Sequence, residues 1–235
     1  KHETTDGYIY ILTNKAFPNY IKIGSTMKDP RIRAHELTGT GVPFPYEVKF
    51  KIMTKNCEIL EKKIHTILEN KRVDLEREFF ECSVEEAKKI IEKGMGDLTE
   101  IWGSEVVVYY PGLYAGATDV VGIYDDSESI VDFKQSNKPK RGEWIADYFM
   151  QLGGYAMAHN YVYGTQIDQG VILMCTPDCY FQKFVVRGKE FVKHQHNFLR
   201  RLEEYYKLKP EYKPKFGAAQ IDAQTLLKEL EKDKH

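Results

Sequence analysis

The stretch from Tyr114 to Ser136, YAGATDVVGIYDDSESIVDFKQS, holds two aspartates and a lysine at a spacing that suits phosphodiester hydrolysis. It reads as a hairpin. One strand runs through Asp119, Val120 and Val121, a second from Ile130 to Lys134, and Asp125, Asp126 and Ser127 form the turn between them. Strand alternation sets Asp132 and Lys134 on one face and turns Val131 and Phe133 into the core. If pairing brings Asp119 onto the first face, two carboxylates and an ammonium converge. Hard oxygen ligands of this kind hold Mg2+ or Mn2+ and leave positions for phosphate and water. The ion lowers the pKa of its water, and the lysine orients the nucleophile or stabilises the developing charge. The same residues also suit a surface hairpin with a salt-bridging lysine, since exposed ion pairs are common and weak.

The surrounding sequence, from about Leu98 to Leu208, resembles the RecB-type branch of the PD-(D/E)XK nucleases, which includes the mitochondrial genome maintenance exonucleases and phage exonucleases. EIWGSEVVVYY stands where that family has a helix end and an acidic strand, with Glu105 near the metals. YAGATDVVG carries the first metal aspartate as Asp119, and IVDFKQSNKPK the D-x-K pair as Asp132 and Lys134. WIADYFMQLGGYAMAHN resembles the Q-x-x-x-Y helix through Gln151 and Tyr155, which lie four apart on one helix face. The resemblance implies Asp119 and Asp132 as metal ligands, helped by the Phe133 carbonyl and Glu105, with Lys134 as the catalytic lysine and Gln151 and Tyr155 shaping the site. Lys138, Lys140 and Arg141 follow the hairpin as a short basic loop, which beside such a site becomes a clamp for DNA phosphates. The family's upstream helical region with its R-G and histidine motif has no counterpart here, which weighs against processive threading of strand ends.

A second resemblance covers about Asp6 to Lys93, where GYIYIL, IKIG, R-x-R, LEKKIH and REFF are similar to the phage-associated subfamily of GIY-YIG nucleases. Position by position, Tyr10 matches the tyrosine of the first motif, Ile23-Gly24 the end of the second, Arg33 the helix arginine that contacts the scissile phosphate, and Glu61 the single metal-binding glutamate. His65 and Glu78 match positions typical of the subfamily. Lys22 stands where the second motif has its tyrosine, which leaves Tyr10 as the base or implies a changed mechanism with Lys22 or His65 taking part and contacting DNA. A phenolate beside one divalent ion can activate water while an arginine grips the phosphate in a bidentate fashion.

The elements that must position these residues are readable from periodicity. Gly7–Leu12 and Tyr20–Gly24 read as strands around a turn at Asn14–Asn19. A helix capped by Asp29 opens on Pro30, and a strand follows at Tyr46–Met53. Ile59, Leu60, Ile64, Ile67 and Leu68 recur at helical spacing between Cys57 and Asn70, and SVEE at Ser83 is a capping-box pattern. Two glycines in Glu92–Thr99 break the pattern and mark a boundary. Beyond it, GVILMC and YFQKFVV read as strands. A helix follows from Gly188 to Lys207, with Phe198, Leu199 and Leu202 inward and Arg200, Arg201 and Lys207 outward.

The expected architecture is α/β: a GIY-YIG-like domain at 1–95, a PD-(D/E)XK domain with a mixed central sheet flanked by helices at 96–212, and a polar tail at 213–235. In that tail Asp222 would cap a short helix through Leu226, Leu227 and Leu230.

Composition sets the bounds. The 235 residues are 42% hydrophobic and 13% aromatic, enough for one or two cores, and the net charge of -1 gives no basic coat, although local basic stripes fit within a neutral total. With no signal peptide or membrane-length apolar run, the chain is expected in the cytoplasm of a bacterial or phage-infected cell. Cys57, Cys82, Cys175 and Cys179 lack the tight paired spacing of a metal site and read as free thiols, with only Cys175 and Cys179 close together. The function these features imply is a DNA nuclease dependent on Mg2+ or Mn2+ that hydrolyses phosphodiesters at Asp119, Asp132 and Lys134 in exonuclease-like fashion on single-stranded or duplex ends, with the N-terminal domain binding or also cleaving DNA. A site-specific homing or restriction-type endonuclease and a non-catalytic DNA-binding or repair scaffold are the alternatives.

Overall fold

The computed structural model describes residues 6–213 together with 225, 226 and 228. The structure is α/β, and its two compact units interleave in sequence. One is the chain up to Trp102 with Phe133–Pro139 and Leu173–Lys183; the other is Gly103–Asp132, Lys140–Ile172 and the chain from Phe184 onward. Of the expected tail helix, Asp222, Leu227 and Leu230 lie outside the described residues, whereas Leu226 is helical and buried. Among the described residues no helix is long and apolar enough to cross a membrane.

The first unit holds β1 (Gly7–Asn14), β2 (Ile21–Thr26), α1 (Pro30–Leu37), β3 (Tyr46–Thr54), α2 (Cys57–Ile67), the two-residue strand β4 (Phe79–Phe80) and α3 (Val84–Ile90). Its sheet has the order β3-β1-β2-β4, with every neighbouring pair antiparallel. β1 is apolar on both faces because both are covered: Tyr10 and Leu12 pack with Ala34 of α1, and Ile9 and Ile11, on the alternate face, are buried too. The Asp29 carboxylate accepts the Arg31 amide at 2.8 Å, so the cap and Pro30 start α1 as the sequence indicates. α2 buries Leu60, Ile64 and Ile67 at helical spacing, and Ser83 and Glu86 close a capping box at α3. The glycine-containing stretch after α3 is a π-helical turn, Ile91–Met95. A side chain at Gly94 would come within 2.8 Å of the Phe181 ring.

A five-stranded sheet contains β5 (Leu98–Tyr110), β6 (Tyr114–Tyr124), β7 (Ser127–Gln135), β8 (Gln169–Cys175) and β9 (Phe181–Arg187), in that order. The segment EIWGSEVVVYY, expected to begin with a helix end, is strand throughout. Its irregularity is a positive φ of 54° at Glu105, whose side chain is exposed. β6 and β7 form the expected antiparallel hairpin, and Asp125 and Asp126 both take positive φ, 49° and 59°. That is the type I′ pair whose twist matches the strands it joins.

α4 (Ala146–Tyr163) and α5 (Gly188–Leu208) complete the second unit. They approach closely because Gly153 and Gly154 leave room: a side chain at Gly154 would meet the Phe198 ring at 2.7 Å. Leu199 is buried with Val108, Tyr110, Leu113, Met157 and Ala158, while Phe198 and Leu202 pack against this cluster. Arg200, Arg201 and Lys207 face outward.

Cys57, Cys82, Cys175 and Cys179 are free thiols. Cys82 is not remote from the CTPDC pair as the sequence suggested. It shares a hydrogen bond with Cys179, because Leu173–Lys183 belongs to the same compact unit as the N-terminal sheet.

Burial makes the fold acid-sensitive. His159 is buried, and its Nδ1 lies 2.8 Å from Thr165 Oγ1. That hydroxyl gives its own proton to Asn160 Oδ1, so Nδ1 is the donor. Desolvation holds His159, His194 and His65 below the ordinary value of 6.5. Between those lowered values and 6.5 the unfolded chain binds more protons than the folded one, so stability rises with pH through that window and is lost on acidification. The thermal midpoint is expected to fall as pH drops below 6.5. His159→Gln, monitored by circular dichroism over the same range, should flatten part of that dependence.

Candidate active site

The densest group of functional side chains lies along the outer edge of β2. β4 covers β2 only at Ile21 and Lys22, so the remainder of β2 has no strand beyond it. α2 lies against that open edge. His65 Nε2 is 2.9 Å from the Ile23 carbonyl, and Glu61, one turn earlier, accepts a short hydrogen bond from the Ser25 hydroxyl. The His65 ring is tilted against Phe80 at 5.0 Å and lies 3.8 Å from Glu61. Where β4 leaves the edge, Glu78 pairs closely with Lys22, and Ile23 donates to the Glu78 carbonyl at 3.2 Å.

Tyr10 enters from β1. It stands directly across from Gly24, and its phenol lies over that glycine: a Cβ there would be 2.5 Å from the Tyr10 hydroxyl. The Arg33 guanidinium, presented by α1, donates to the phenol oxygen and also binds Glu36 at 3.2 Å. Gly24 is therefore required by a close approach. Gly24→Ala is expected to push Tyr10 off Arg33 and cost about 1–3 kcal/mol, as overpacking does. A lower thermal midpoint together with loss of activity would register it, and an unchanged midpoint would contradict this reading of the contact.

Electrostatics sets the protonation of the group. Burial raises the Tyr10 phenol, and the Arg33 hydrogen bond opposes that rise. Burial also raises the Glu61 carboxyl above its ordinary value of 4.5; Ser25 opposes this, and the nearby negative charge of Glu78 adds to it. Glu61 is thus a buried, hydrogen-bonded carboxylate short of positive charge. Tyr10, Lys22, Arg33, Glu61, His65 and Glu78, all picked out in the sequence, meet along one edge. Ser25 joins them without having been picked out, since a serine after a strand glycine is an ordinary strand-end residue.

This edge, with its short covering strand and a helix glutamate facing a tyrosine, coincides with a known domain. Residues 7–94 match the T5orf172 domain. That domain is GIY-YIG-like and endonuclease-associated. The match covers less than half of the chain. No curated protein matches the sequence. Among solved structures, a crystal structure of a protein from Eubacterium rectale named "Putative exonuclease" aligns with a TM-score of 0.40 at 14% identity, covering 71% of this chain and 72% of that one.

Outside the T5orf172 region, the hairpin residues are arranged as follows. The β6–β7 register pairs Val120 with Val131 and Val121 with Ile130, and one further step on the same register sets Asp119 across from Asp132. Opposed side chains share a face. Asp132 is 4% exposed, which does not fit the surface-hairpin alternative; Val131 and Phe133 on the alternate face are buried as expected. Lys134 follows two residues later on β7 and is half-buried. Tyr155 packs its ring over Gly116, which by alternation lies on the face of β6 opposite Asp119, and Gln151 is exposed. Lys138 and Arg141 are exposed, and the Arg141 guanidinium lies 5.4 Å above the Trp144 ring. Among the described residues no three or more His, Cys, Asp or Glu side chains gather as a metal cluster.

Proposed function

We propose that the protein is a divalent-metal-dependent DNA nuclease whose hydrolytic centre is the β2 edge of the T5orf172-like domain. The observation that carries this reading is the joint placement of Tyr10 with Arg33 and of Glu61 with Ser25 along one open strand edge. The donor chemistry fits Mg2+ or Mn2+, since one carboxylate completed by water and substrate phosphate oxygens is a usual Mg2+ environment, and Glu61 is a buried carboxylate whose charge is under-compensated. Glu61 would hold the ion. Such an ion supplies neutralisation of phosphate charge and a more acidic bound water.

The chain's own residues do the remainder. Arg33 grips the scissile phosphate through its planar fork, and Glu36 and the phenol hold that fork in place. The Tyr10 oxygen accepts a hydrogen bond from the attacking water. Lys22, in the place of the second motif's tyrosine, faces the leaving side, where Glu78 keeps it paired until phosphate arrives. His65 stays neutral and locks α2 to β2 through the Ile23 carbonyl, which fixes Glu61 one turn away.

A second reading is supported by the hairpin: continuing its register one step beyond Val120–Val131 would set Asp119 across from Asp132, as a second centre of PD-(D/E)XK type requires, with Lys134 as its lysine and Phe133 offering a carbonyl. Such a centre would act at DNA ends, whereas the first would cut internally. Covalently closed plasmid and end-labelled linear or single-stranded DNA, each with Mg2+ or chelator, test the two activities separately. An absence of metal-dependent turnover on every substrate would leave only the DNA-binding scaffold.

A further inference from the structure

Beside the Lys22–Glu78 pair lies an open cavity of about 140 Å3 lined by Phe17, Tyr20, Val73, Arg77 and Phe79. Its walls are apolar and largely aromatic. Phe17 meets Phe79 edge to face at 6.1 Å, and Lys22 Nζ lies 5.4 Å above the Phe79 ring. The cavity therefore adjoins the candidate active site through Phe79, which follows Glu78 in sequence and lies under the Lys22 ammonium. Phe17 and Val73 are 39% and 52% exposed, so large apolar surface stands in water at its rim. Its outer wall is braced: Val73 donates to the Phe79 carbonyl at 2.9 Å, Arg77 to the Asp74 carbonyl at 3.0 Å, and Arg72 Nε to the Arg77 carbonyl at 2.6 Å. Phe17 is fixed in the β1–β2 turn by the hydrogen bond its amide donates to the Asn14 carbonyl at 2.9 Å.

We propose that this cavity takes one unstacked nucleobase of the substrate strand, next to the phosphate held at the β2 edge. The proposal rests on the nuclease reading of that edge. An apolar cavity of about 150 Å3 accepts a benzene ring, so this one accommodates a single planar ring system with its sugar and phosphate outside. Aromatic faces stack on any base. The phosphate grip proposed at the neighbouring β2 edge, with Lys22 over the Phe79 ring, favours a ring carrying a phosphate over a neutral apolar one. The base contact is thus sequence-tolerant, and it pulls the strand out of the stack at the point of cleavage.

The test uses the full chain in chelator, which separates binding from hydrolysis, with single-stranded oligonucleotides carrying 2-aminopurine. Binding should quench the probe. Phe17→Ala should remove the quench and weaken affinity about tenfold, Phe17→Trp should restore both, and Val73→Asp, an exposed change that sets a carboxylate at the rim, should weaken binding as well. Phe17→Ala that quenches and binds as the wild type does would overturn the pocket, as would the absence of any oligonucleotide binding. The two readings fail separately: plasmid nicking without Phe17-dependent quenching removes the pocket and leaves the nuclease, whereas Phe17-dependent quenching without nicking does the reverse.

Discussion

On the proposed reading, Glu61→Gln is expected to remove metal-dependent nicking of closed circular DNA, by a factor on the order of 10^3, while the domain remains folded. Tyr10→Phe lowers it by about 10^2–10^4, the range associated with a positioned proton-handling group. Both changes are isosteric, and glutamine keeps an oxygen to accept the Ser25 hydroxyl. Stability separates a catalytic from a structural explanation. Because burial raises the Glu61 carboxyl, its ionised form is disfavoured in the fold, and stability is lost as pH rises above the ordinary carboxylate value of 4.5. The neutral glutamine lifts that penalty, so without metal the variant melts at or above the wild-type temperature. With Mg2+ the order reverses, because only the wild type gains the stabilisation that comes from binding the folded state alone. A variant that nicks normally, or that is stabilised by Mg2+ as the wild type is, would show that Glu61 does not hold the ion.

The reason so much of this edge could be read from sequence is that its geometry is built from short-range rules. The proline after Asp29, the apolar run of β1 and the helical spacing of Leu60, Ile64 and Ile67 each declare an element. Glu61 and His65 are then forced onto one face of α2 by the helical period. What was not legible depends on pairing at long range. The closeness of Ser25 to Glu61 follows from β4 being only two residues long, Phe79–Phe80, and no periodicity announces where a covering strand stops. Alternation along β7 gives the direction of Asp132 but not what covers it, so its burial was missed. The Cys82–Cys179 contact requires two segments 97 positions apart in number to share a unit, which sequence spacing cannot convey. At Glu105 a positive φ within a strand was invisible for the opposite reason, since glutamate carries no local signal for that backbone conformation.

At the hairpin, Asp132→Asn and Lys134→Ala should each abolish release of nucleotides from linear ends and leave nicking of closed circles intact. Asp132 is almost fully buried on the hairpin, at the position where the resemblance sets a metal ligand. Asparagine at 132 keeps the shape and removes the charge. The folded protein should therefore tolerate Asp132→Asn with little change in thermal midpoint while the end-directed activity falls on the order of 10^3, the scale at which loss of one preorganised charge group acts in a water-excluded site. Lys134→Ala tests the same centre from the other sign of charge. If both variants degrade linear DNA at the wild-type rate, the aspartates and lysine of this hairpin are structural, and all cleavage belongs to the β2 edge. If they lose nicking of closed circles together with end attack, the division of labour between the two centres is wrong, because closed circles offer no end for the hairpin to act on.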